Sequence, residues 1–490
     1  MSQDGLIRAL QGIVGSHAVF TDEESLERFS FDALGPYRLF GRKELVECRV
    51  DAVVRPANTR QVSDVLRFAD EGGVAVVPYG GGTGIMGAVI PLRGGIALDM
   101  RGMDRVVEVL PAERLARVQP GVLLEDLGRE AERHGLMLGH DPWSLSIATV
   151  GGAISTDSVG YRASKYGSMG DQVRALEVVL AGGAITRTRP LARQSSGPGL
   201  NRLFVGAEGT MGVITEATVQ LFAQPEERSF ATVGFSSFEA GYPVLVRLFD
   251  LGLVPALVDL TEEPPDENAQ GFPCLLYLGF EGYVQEVAAQ QERALAESVA
   301  AGGTDLGPKP TERYWTQRHD SAHRWREHVQ PLRPTERWTS AQWRASDYLH
   351  LSLPVSTVLE YHRRAKEIVA EHALVIRETA VWTGPQLFSL MLTDPEGGEG
   401  RGMEQPRLGP VRAEPAEGRI TDQGLPLANA VDKLLRMALS VGGGIEYCHG
   451  IGMKLAPLMA DEWADALPLA RAVKQAVDPR DIMNPGKLGL

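Results

Sequence analysis

The spacing of apolar side chains predicts alternating strands and helices early in the chain. From Gln61 to Asp70, apolar residues recur on one helical face: Val62, Val65, Leu66 and Ala69. Thr59 is the predicted helix cap, and the pair Gly72-Gly73 ends the helix. Short apolar runs at residues 53–54 and 74–77 flank this helix and are predicted strands. This strand–helix–strand unit is typical of an α/β region.

The same alternation of strands and helices continues to about residue 221, with a predicted helix at 123–134 and predicted strands at 173–180, 184–188 and 213–221. It changes near Pro225, where strands and helices still alternate but glycine motifs become rare. The resulting division is an N-terminal helical segment (1–50), a first α/β domain (51–225), a second domain (226–440) and a motif-dense C-terminal segment (441–490).

One stretch of the second domain differs in composition from its surroundings. Residues 393–423 are rich in Gly, Pro, Glu and Arg, which predicts a loose surface insertion.

Composition narrows the class of protein. With 490 residues, 43% hydrophobic and 23% charged, the chain has ordinary globular composition and room for two or three domains. Its net charge of -14 argues against nucleic acid and anionic membrane surfaces as partners, although a small anionic substrate needs only one or two cations.

The cysteine usage and the lack of a recognisable targeting signal both favour the cytoplasm. The three cysteines form no CxxC pair and no disulfide framework, which fits a reducing cytoplasm. The N-terminus lacks a signal-peptide pattern, and no stretch approaches the length of a membrane span. We therefore expect a cytoplasmic protein.

A glycine-rich loop follows the second predicted strand directly. The run Pro78-Tyr-Gly-Gly-Gly-Thr-Gly84 lets backbone N–H groups surround a pyrophosphate, because no Cβ intervenes. Gly82, Gly84 and Gly87 formally match the dinucleotide fingerprint, which requires a helix starting inside the motif. Pro91 and the pair Gly94-Gly95 leave no room for that helix. Taken alone, the loop is also compatible with a turn that binds no ligand.

Two further clusters of small and hydroxyl residues favour a long cofactor lying along backbone amides. One runs from His140 to Thr156 and continues through Gly160 to Gly167, and the other runs from Gly206 to Glu216.

These segments resemble the FAD domain of the vanillyl-alcohol oxidase superfamily. Residues 78–84 resemble its pyrophosphate loop, and residues 142–152 resemble its flavin-lining segment. Residues 208–214 resemble its adenine-side segment. The motifs around Cys448-His449 and Asn484-Pro-Gly-Lys487 resemble its C-terminal closing motifs.

The resemblance implies an α+β fold. It consists of a PCMH-type FAD-binding domain of two α/β subdomains and an α+β substrate cap domain, with a C-terminal return to the FAD domain. The implied cofactor is FAD, bound by Pro78, Tyr79, Gly80, Gly81, Gly82, Thr83, Gly84, Pro142, Ser144, Thr149, Gly151, Gly152, Thr156, Ser158, Gly160, Glu208, Gly209, Val213, Ile214 and Asn484. Histidine-linked members carry the linking histidine in the first glycine loop, where this chain has Thr83. We therefore expect non-covalent FAD.

Two branches of the superfamily compete. Residues 140–152 resemble alkylglycerone-phosphate synthase, whereas the ending from Asp478 to Lys487 resembles D-lactate, glycolate and D-2-hydroxyglutarate dehydrogenases. Several of these dehydrogenases hold a divalent metal on two histidines and a glutamate. The corresponding stretch here, residues 381–389, has no histidine, and Cys448 stands at the glutamate position. We therefore expect no metal. The synthase's run of histidines is reduced to His449, which weakens that assignment too.

Oxidation of a 2-hydroxyacid needs a base for the hydroxyl proton and a cation for the carboxylate. By resemblance, His449 faces the flavin and is the candidate base or substrate ligand, with a structural histidine as the alternative. Tyr447 is a candidate hydrogen-bond donor, and Lys454 is a candidate partner for substrate or flavin charge. Arg318 resembles the arginine that feeds the substrate pocket; Arg337 and Arg377 are weaker candidates.

The predicted function is that of an FAD-dependent oxidoreductase moving a hydride from a small 2-hydroxyacid to flavin N5. The electron acceptor is left open between a quinone, a cytochrome and a partner protein, and a homodimer is possible. The alternatives are a synthase-like transferase without net redox and a non-catalytic flavin subunit of a larger complex. The histidines of the helical stretch, His319, His323 and His328, are expected to fill surface or core without a metal role.

Overall fold

The computed structural model describes residues 2–35, 38, 47–193, 195–264, 270–339, 346–393 and 425–490. Its helices are α1 Gln3–Val14, α2 Glu23–Arg28, α3 Thr59–Gly72, α4 Leu124–Glu132, α5 Val150–Ser155, α6 Ala163–Tyr166, α7 Phe238–Asp250, α8 Val284–Ala300, α9 Lys309–Gln317, α10 Asp320–His328, α11 Pro334–Thr339, α12 Val358–Glu371, α13 Leu425–Ser440, α14 Met459–Trp463 and α15 Leu467–Val477.

Its strands are β1 Val19–Phe20, β2 Ala52–Val54, β3 Val76–Tyr79, β4 Ile96–Asp99, β5 Val106–Leu110, β6 Leu115–Val118, β7 Leu136–Leu138, β8 Val173–Val179, β9 Ile185–Arg187, β10 Val213–Ala223, β11 Glu227–Phe235, β12 Leu257–Glu262, β13 Cys274–Gly282, β14 Thr304–Gly307, β15 Ser346–Ser352, β16 Val375–Trp382 and β17 Leu387–Thr393.

The first sheet contains the predicted strand–helix–strand unit. Strands β2, β4 and β3 pair in parallel, and β1 joins β2 antiparallel. Helix α3 connects β2 to β3, but its cap is Asn58 and not the predicted Thr59. The Asn58 side chain accepts a hydrogen bond from the N–H of Gln61 at 3.0 Å. Gly73 ends the helix in the left-handed conformation, with φ of 62°.

The second sheet is antiparallel, in the order β5-β6-β10-β8-β9, with β7 also pairing with β10. The sequence pattern predicted an α/β region for this part of the chain. The connections β5–β6 and β8–β9 are too short for a crossover helix, so these neighbours pair as hairpins. Helices α4 and α5 cover one face and pack their apolar side chains into its core.

The third sheet belongs to the predicted cap and is also antiparallel, in the order β14-β11-β13-β12-β16-β17-β15. The largest apolar core forms where helices α7, α8, α12 and α13 pack against it. In strand β15, Leu349 and Leu351 point into that core. Since side chains alternate along a strand, Tyr348 and His350 project from the other face.

The C-terminal segment contacts both halves of the molecule. Gly444 forms an antiparallel bridge with Ser352 at the edge of the cap sheet, and Met483 bridges in parallel to Val76 of the first sheet. Strand β10 ends at Ala223 and β11 begins at Glu227, close to the proposed domain boundary at 225. The exact domain limits stay a proposal.

Two expectations from the sequence, the surface insertion and the lack of a membrane span, can be compared with the structure only over the described residues. The predicted insertion lies almost wholly outside the described residues, which resume at residue 425. Over the ranges that are described, no helix combines the length and apolarity needed to cross a membrane.

Candidate active site

The glycine-rich loop leaves strand β3 and contains no dinucleotide-type helix. Residues 80–95 are all described, and none of them is helical. The Asp32 carboxylate fixes the far side of the loop by accepting hydrogen bonds from the N–H groups of Gly87 and Ala88, at 2.9 and 3.1 Å. Burial raises the pKa of Asp32 to about 6, against the lowering effect of these hydrogen bonds. The local fold therefore excludes the dinucleotide fingerprint that Gly82, Gly84 and Gly87 formally match, because that motif requires a helix here.

The loop packs tightly against the start of helix α5. A Cβ added at Gly80 would lie 2.6 Å from Thr149 Oγ1, and one at Gly81 would overlap the Ile147 carbonyl oxygen. Thr149 caps α5 by accepting a hydrogen bond from Gly152 N at 3.2 Å. Two of the predicted FAD-binding clusters are thus brought together.

The geometry of this loop fits a pyrophosphate. The backbone N–H groups of residues 81–84 donate to no acceptor among the described residues. Unpaired N–H groups in a glycine loop form a concave site for an anion. The buried Asn484 Oδ1 also has no hydrogen-bond partner among the described residues; as an amide oxygen it accepts from a donor group of a cofactor and not from a phosphate. The residues present therefore fit the FAD that the sequence implies.

Several predicted FAD residues also connect parts of the protein. Glu208 accepts hydrogen bonds from the N–H groups of Ile451 and Gly452, the shortest at 2.6 Å. Asn484 Nδ2 donates to the carbonyls of Ala88 and Glu208, at 2.8 and 2.7 Å. Burial raises the pKa of Glu208 to about 7. These contacts fasten the C-terminal segment to the loops of the first domain.

The other predicted FAD residues fall into two groups. Some lie in the two packed loops or beside them: Pro78, Gly82, Thr83, Gly84, Gly151 and Gly209. The remainder make identifiable protein contacts or lie in strands: Tyr79, Pro142, Ser144, Thr156, Ser158, Gly160, Val213 and Ile214. Among these, Ser158 Oγ lies 2.8 Å from His140 Nε2, and Tyr79 Oη donates to the Phe31 carbonyl at 3.3 Å. Their roles toward FAD stay predictions.

His449 lies beside a second histidine that the sequence analysis missed. The His350 and His449 rings meet edge to face, with centroids 4.5 Å apart. The His449 side chain keeps 29% of its surface exposed, and its Nδ1 lies 3.8 Å from Glu446 Oε1. Desolvation, followed by His350 and the cations Arg38 and Lys454, holds the pKa of His449 well below its usual value. His449 is therefore a neutral imidazole at neutral pH.

The hydroxyl of Ser389 connects the groups around His350. Ser389 Oγ lies 2.7 Å from His350 Nδ1 and 2.9 Å from Tyr447 Oη, and it accepts a hydrogen bond from Trp382 Nε1 at 3.1 Å. Burial lowers the pKa of His350 to about 3. Tyr161 of the first domain completes the aromatic wall, with its ring 6.3 Å from that of Trp382. The predicted Tyr447 thus lies in the same cluster as His449.

Lys454 is buried in an ion pair. Its Nζ donates to both carboxylate oxygens of Asp347, at 2.8 and 2.7 Å. Arg38 Nε donates to the same carboxylate at 2.6 Å. Burial and the charge of Arg38 lower the pKa of Lys454 to about 8. The predicted contact of Lys454 with substrate or flavin charge stays a prediction, since Asp347 already binds its ammonium group.

Arg318 has partners on both sides of the domain boundary. Its Nε donates to Asp141 Oδ2 at 3.0 Å, and its guanidinium carbon lies 3.8 Å from the centre of the Trp315 ring. Its role as carboxylate ligand stays a prediction. His319, expected to fill space, lies 3.0 Å from Asp141 Oδ1, so it does have a carboxylate partner. The weaker candidate Arg337 donates to the carbonyls of residues 329, 330 and 332, which explains its burial.

Cys448 and His449 point to different surroundings. The Cys448 thiol is buried and lies 3.9 Å from the Val159 carbonyl, whereas His449 faces His350. In the described ranges, no three His, Cys, Asp or Glu side chains are arranged to hold a metal ion. The absence of a catalytic metal remains a prediction.

Comparison with known proteins identifies the class. A model of the FAD binding domain matches residues 50–189, and the model "FAD linked oxidases, C-terminal domain" matches residues 224–384 and 420–488. Together they span well over half of the chain, so the protein is a flavoprotein oxidoreductase with FAD as its cofactor. The chain belongs to the family of FAD-linked oxidases.

Its curated relatives include three of particular interest. Glycolate oxidase subunit GlcD of Bacillus subtilis is 29% identical over 474 residues, covering 94% of this chain and 91% of that protein. D-lactate dehydrogenase of Archaeoglobus fulgidus is 29% identical over 440 residues, covering 89% and 90%. Alkyldihydroxyacetonephosphate synthase of Trypanosoma brucei brucei is 27% identical over 486 residues, covering 91% and 74%.

Solved structures confirm the predicted fold class. A p-cresol methylhydroxylase structure has a TM-score of 0.76 at 17% identity, covering 99% of this chain and 96% of that one. An alkyldihydroxyacetonephosphate synthase structure has a TM-score of 0.73 at 19% identity, covering 99% and 85%. The PCMH-type FAD fold with a substrate cap is therefore the architecture of this chain.

Proposed function

We propose that the protein is an FAD-dependent dehydrogenase or oxidase acting on the CH–OH group of a small 2-hydroxyacid, with His449 as the catalytic base. The observation that carries the proposal is the position of the partly exposed His449 ring, which packs against His350 with Nδ1 3.8 Å from Glu446 Oε1. It lies on the segment that Glu208 fastens to the flavin domain. The relatives named glycolate oxidase and D-lactate dehydrogenase support this substrate class.

FAD, when bound, supplies the acceptor for the hydride that leaves C2 of the substrate. His449 takes the hydroxyl proton on a ring nitrogen, so that the carbinol becomes a ketone. A neutral imidazole has the free lone pair that this step needs. The negative charge of the substrate carboxylate stabilises the product imidazolium. Glu446 Oε1 lies 3.8 Å from His449 Nδ1, but burial raises the pKa of Glu446 to about 7, so this carboxyl is only partly ionised at neutral pH.

The remaining cluster orients the base and shapes the cleft. Ser389 holds His350 and Tyr447 in fixed positions through its hydroxyl. The rings of Tyr161 and Trp382 form an apolar wall, which limits the access of water to the reacting carbon. We keep Arg318 as one candidate ligand of the carboxylate; its engagement by Asp141 has to loosen for that contact.

A synthase-like transferase is the second candidate. It is supported by the similarity to alkyldihydroxyacetonephosphate synthase and by His350, which places a second imidazole beside His449 where the sequence has lost a run of histidines. A third candidate, a non-catalytic flavin subunit, is supported only by the word subunit in the name of the GlcD relative.

An anaerobic screen of hydroxyacids, monitored by flavin bleaching, separates the three candidates. We expect at least one 2-hydroxyacid to reduce the flavin of the isolated chain. A flavin that is inert to all hydroxyacids but forms an adduct with an acylated ketone phosphate assigns the transferase. A flavin that is inert to both until a partner protein is added assigns the subunit. The electron acceptor follows from re-oxidation with a quinone, cytochrome c or oxygen.

A further inference from the structure

The aromatic wall of the site consists of four rings from separate parts of the chain. Tyr161 of the FAD domain contacts Tyr314 of helix α9 and Trp382 of strand β16, with ring centroids 6.0 and 6.3 Å apart. Trp382 in turn contacts Tyr447 of the C-terminal segment, at 6.0 Å. The four side chains therefore form one continuous aromatic surface across the junction of the two domains.

This wall begins next to the proposed base. The ring of Tyr447 lies 5.4 Å from that of His350, which lies 4.5 Å from the ring of His449. Trp382 also contacts His350 directly, at 6.1 Å. A carbinol that lies against His449 therefore has the aromatic wall one ring away from it.

The rings of the wall lie inside the protein but keep part of their surface open. All four side chains are half-buried. At the same time, burial by the surrounding protein raises the pKa of the hydroxyls of Tyr161, Tyr314 and Tyr447 well above the usual value. Side chains that are surrounded by protein and still accessible line an internal cleft, which is the usual form of a small-molecule site.

At the far end of the wall, the tyrosine hydroxyls already have protein partners. Tyr161 Oη donates to the Arg318 carbonyl at 3.3 Å, and Tyr314 Oη donates to Asp259 Oδ2 at 2.9 Å. The guanidinium of Arg318 is itself bound by Asp141, at 3.0 Å. These hydroxyls are therefore engaged before any ligand arrives.

The polar atoms at the near end are engaged as well. Tyr447 Oη lies 2.9 Å from Ser389 Oγ, and Trp382 Nε1 donates to the same oxygen at 3.1 Å. What the aromatic wall offers to a ligand is therefore the apolar surface of its rings. Such rings contribute large apolar contact areas and pair favourably with other aromatic groups.

Two carboxyl groups act on the far end of the wall. Asp259 accepts hydrogen bonds from Tyr314 and from Thr261 Oγ1, and burial raises its pKa to about 6, so it is largely ionised at neutral pH. Burial raises the pKa of Glu378 to about 8, so this carboxyl is mostly protonated. The charge of Asp259 disfavours a second carboxylate on the substrate, because like charges repel.

We propose that the substrate carries a bulky apolar side chain, aryl or branched alkyl, which packs against the aromatic wall. This inference rests on the proposed function for the carbinol and the carboxylate, but the apolar binding surface itself does not. Among 2-hydroxyacids, the wall favours those with an aryl or branched alkyl side chain over glycolate, lactate and dicarboxylic acids such as malate.

The test uses the FAD-loaded full chain and two pairs of ligands that differ by one phenyl group. Propionate and 3-phenylpropionate have no carbinol, so their binding is measured by perturbation of the oxidised flavin spectrum. Lactate and 3-phenyllactate are measured by anaerobic stopped-flow flavin reduction, which separates substrate Kd from the limiting rate. We expect the phenyl group to lower the Kd by about 10- to 100-fold in both pairs, the range for burial of an apolar side chain.

Variants of Tyr161 assign this effect to the aromatic wall. Tyr161→Ala removes a ring, and we expect the advantage of 3-phenylpropionate over propionate to fall by about 3- to 10-fold. Tyr161→Phe loses only the hydroxyl that the Arg318 carbonyl binds, and it is expected to keep this advantage. Tyr283→Ala is the control, because it removes a tyrosine that lies outside the wall and is 54% exposed.

The outcomes separate this inference from the proposed function. Equal binding of propionate and 3-phenylpropionate to the wild type overturns the inference, and so does an advantage that a folded Tyr161→Ala protein keeps in full. If 3-phenylpropionate has a Tyr161-dependent advantage but no hydroxyacid reduces the flavin, the apolar site stands and the dehydrogenase proposal fails. If lactate and 3-phenyllactate both reduce the flavin with equal Kd, the dehydrogenase proposal stands and this inference is wrong.

Discussion

The imidazole rings of His350 and His449 pack edge to face, with their centroids 4.5 Å apart. The first residue lies on strand β15 of the cap, and the second lies on the segment fastened to the flavin domain by Glu208. Both rings are neutral at neutral pH because their surroundings lower their pKa values. The pair therefore places two uncharged imidazoles at the junction of the two domains.

Replacement of His449 by asparagine tests the catalytic base. Loss of a general base typically lowers the rate by about two to four orders of magnitude. We expect His449→Asn to retain FAD and near-normal melting, while rapid flavin reduction by its hydroxyacid is lost. The measurement is anaerobic stopped-flow reduction of the wild type and the variant.

The matched control is His134→Asn, because His134 is a surface histidine beside Glu130. It is expected to reduce its flavin at the wild-type rate. Unchanged kinetics in His449→Asn remove His449 from the mechanism, and joint loss of FAD and stability returns it to a structural role.

The sequence predicted the glycine loop, but it did not predict the side-chain cluster around His350. The glycine loop and the Thr149 turn carry local signals, since close backbone packing demands particular residues at consecutive positions. His350 and Ser389 carry no such signal. They meet because β15 pairs with β17, and that register depends on contacts across the whole cap sheet.

The same limit applies to the ion triad. Arg38, Asp347 and Lys454 are distant in sequence, and a single arginine or aspartate is ordinarily a surface residue. Lys454 was singled out by resemblance, but its partner was not. The pattern of apolar residues also did not predict that the second sheet is antiparallel, because strand direction depends on the length of the connections and not on that periodicity.

The buried His350 makes stability pH-dependent. Its folded pKa is about 3, and its unfolded value is 6.5, so only the unfolded chain binds a proton between these limits. Acidification below pH 6.5 therefore favours unfolding through this residue, by up to about 1.4 kcal/mol per pH unit. Relative to His350→Gln, we expect the wild type to lose stability as the pH falls from 7.5 to 5.

Urea unfolding at pH 7.5, 6 and 5 measures this difference, and His134→Gln serves as the control at an exposed histidine. Other buried acids, such as Glu208, shift stability in the opposite sense, but they are common to both proteins and cancel in the comparison. A difference between wild type and variant that stays constant over this range shows that the pKa of His350 is the same in the folded and unfolded states, which contradicts the prediction.

FAD is expected to leave the polypeptide on denaturation. Thr83 stands where histidine-linked members of the superfamily carry the linking residue, and none of Cys48, Cys274 and Cys448 lies in the two packed loops. We predict a yellow native protein that releases intact FAD after acid precipitation, with a colourless pellet. Flavin that remains on the washed polypeptide contradicts this prediction.

Activity is expected to be independent of a bound metal. Residues 381–389 contribute Trp382 and Ser389 to the site but no imidazole, and the Cys448 thiol faces the Val159 carbonyl. Burial raises the pKa of that thiol, which disfavours the thiolate that a metal requires. We predict unchanged flavin reduction after EDTA treatment. Stoichiometric zinc or manganese in the protein, with activity lost on chelation and restored by the metal, refutes it.

Gly81→Ala tests the packing of the glycine loop against the Thr149 turn. A Cβ at this position would overlap the Ile147 carbonyl oxygen, which is backbone and unable to move independently. Since the clash separates the glycine loop from the Thr149 turn, we expect the purified variant to retain little FAD. The cap core, centred on the third sheet, is expected to keep most of the far-ultraviolet circular dichroism signal.

Gly84→Ala is the control within the same loop, because its added Cβ would meet only Asp32 Oδ2, at 3.4 Å. We expect it to bind FAD with an affinity much closer to that of the wild type. The measurements are the flavin content and the FAD dissociation constant of the wild type, Gly81→Ala and Gly84→Ala. If Gly81→Ala binds FAD as tightly as Gly84→Ala, the contact between the glycine loop and the Ile147–Thr149 turn is not what shapes the site, and the unpaired N–H groups of residues 81–84 alone have to account for the affinity.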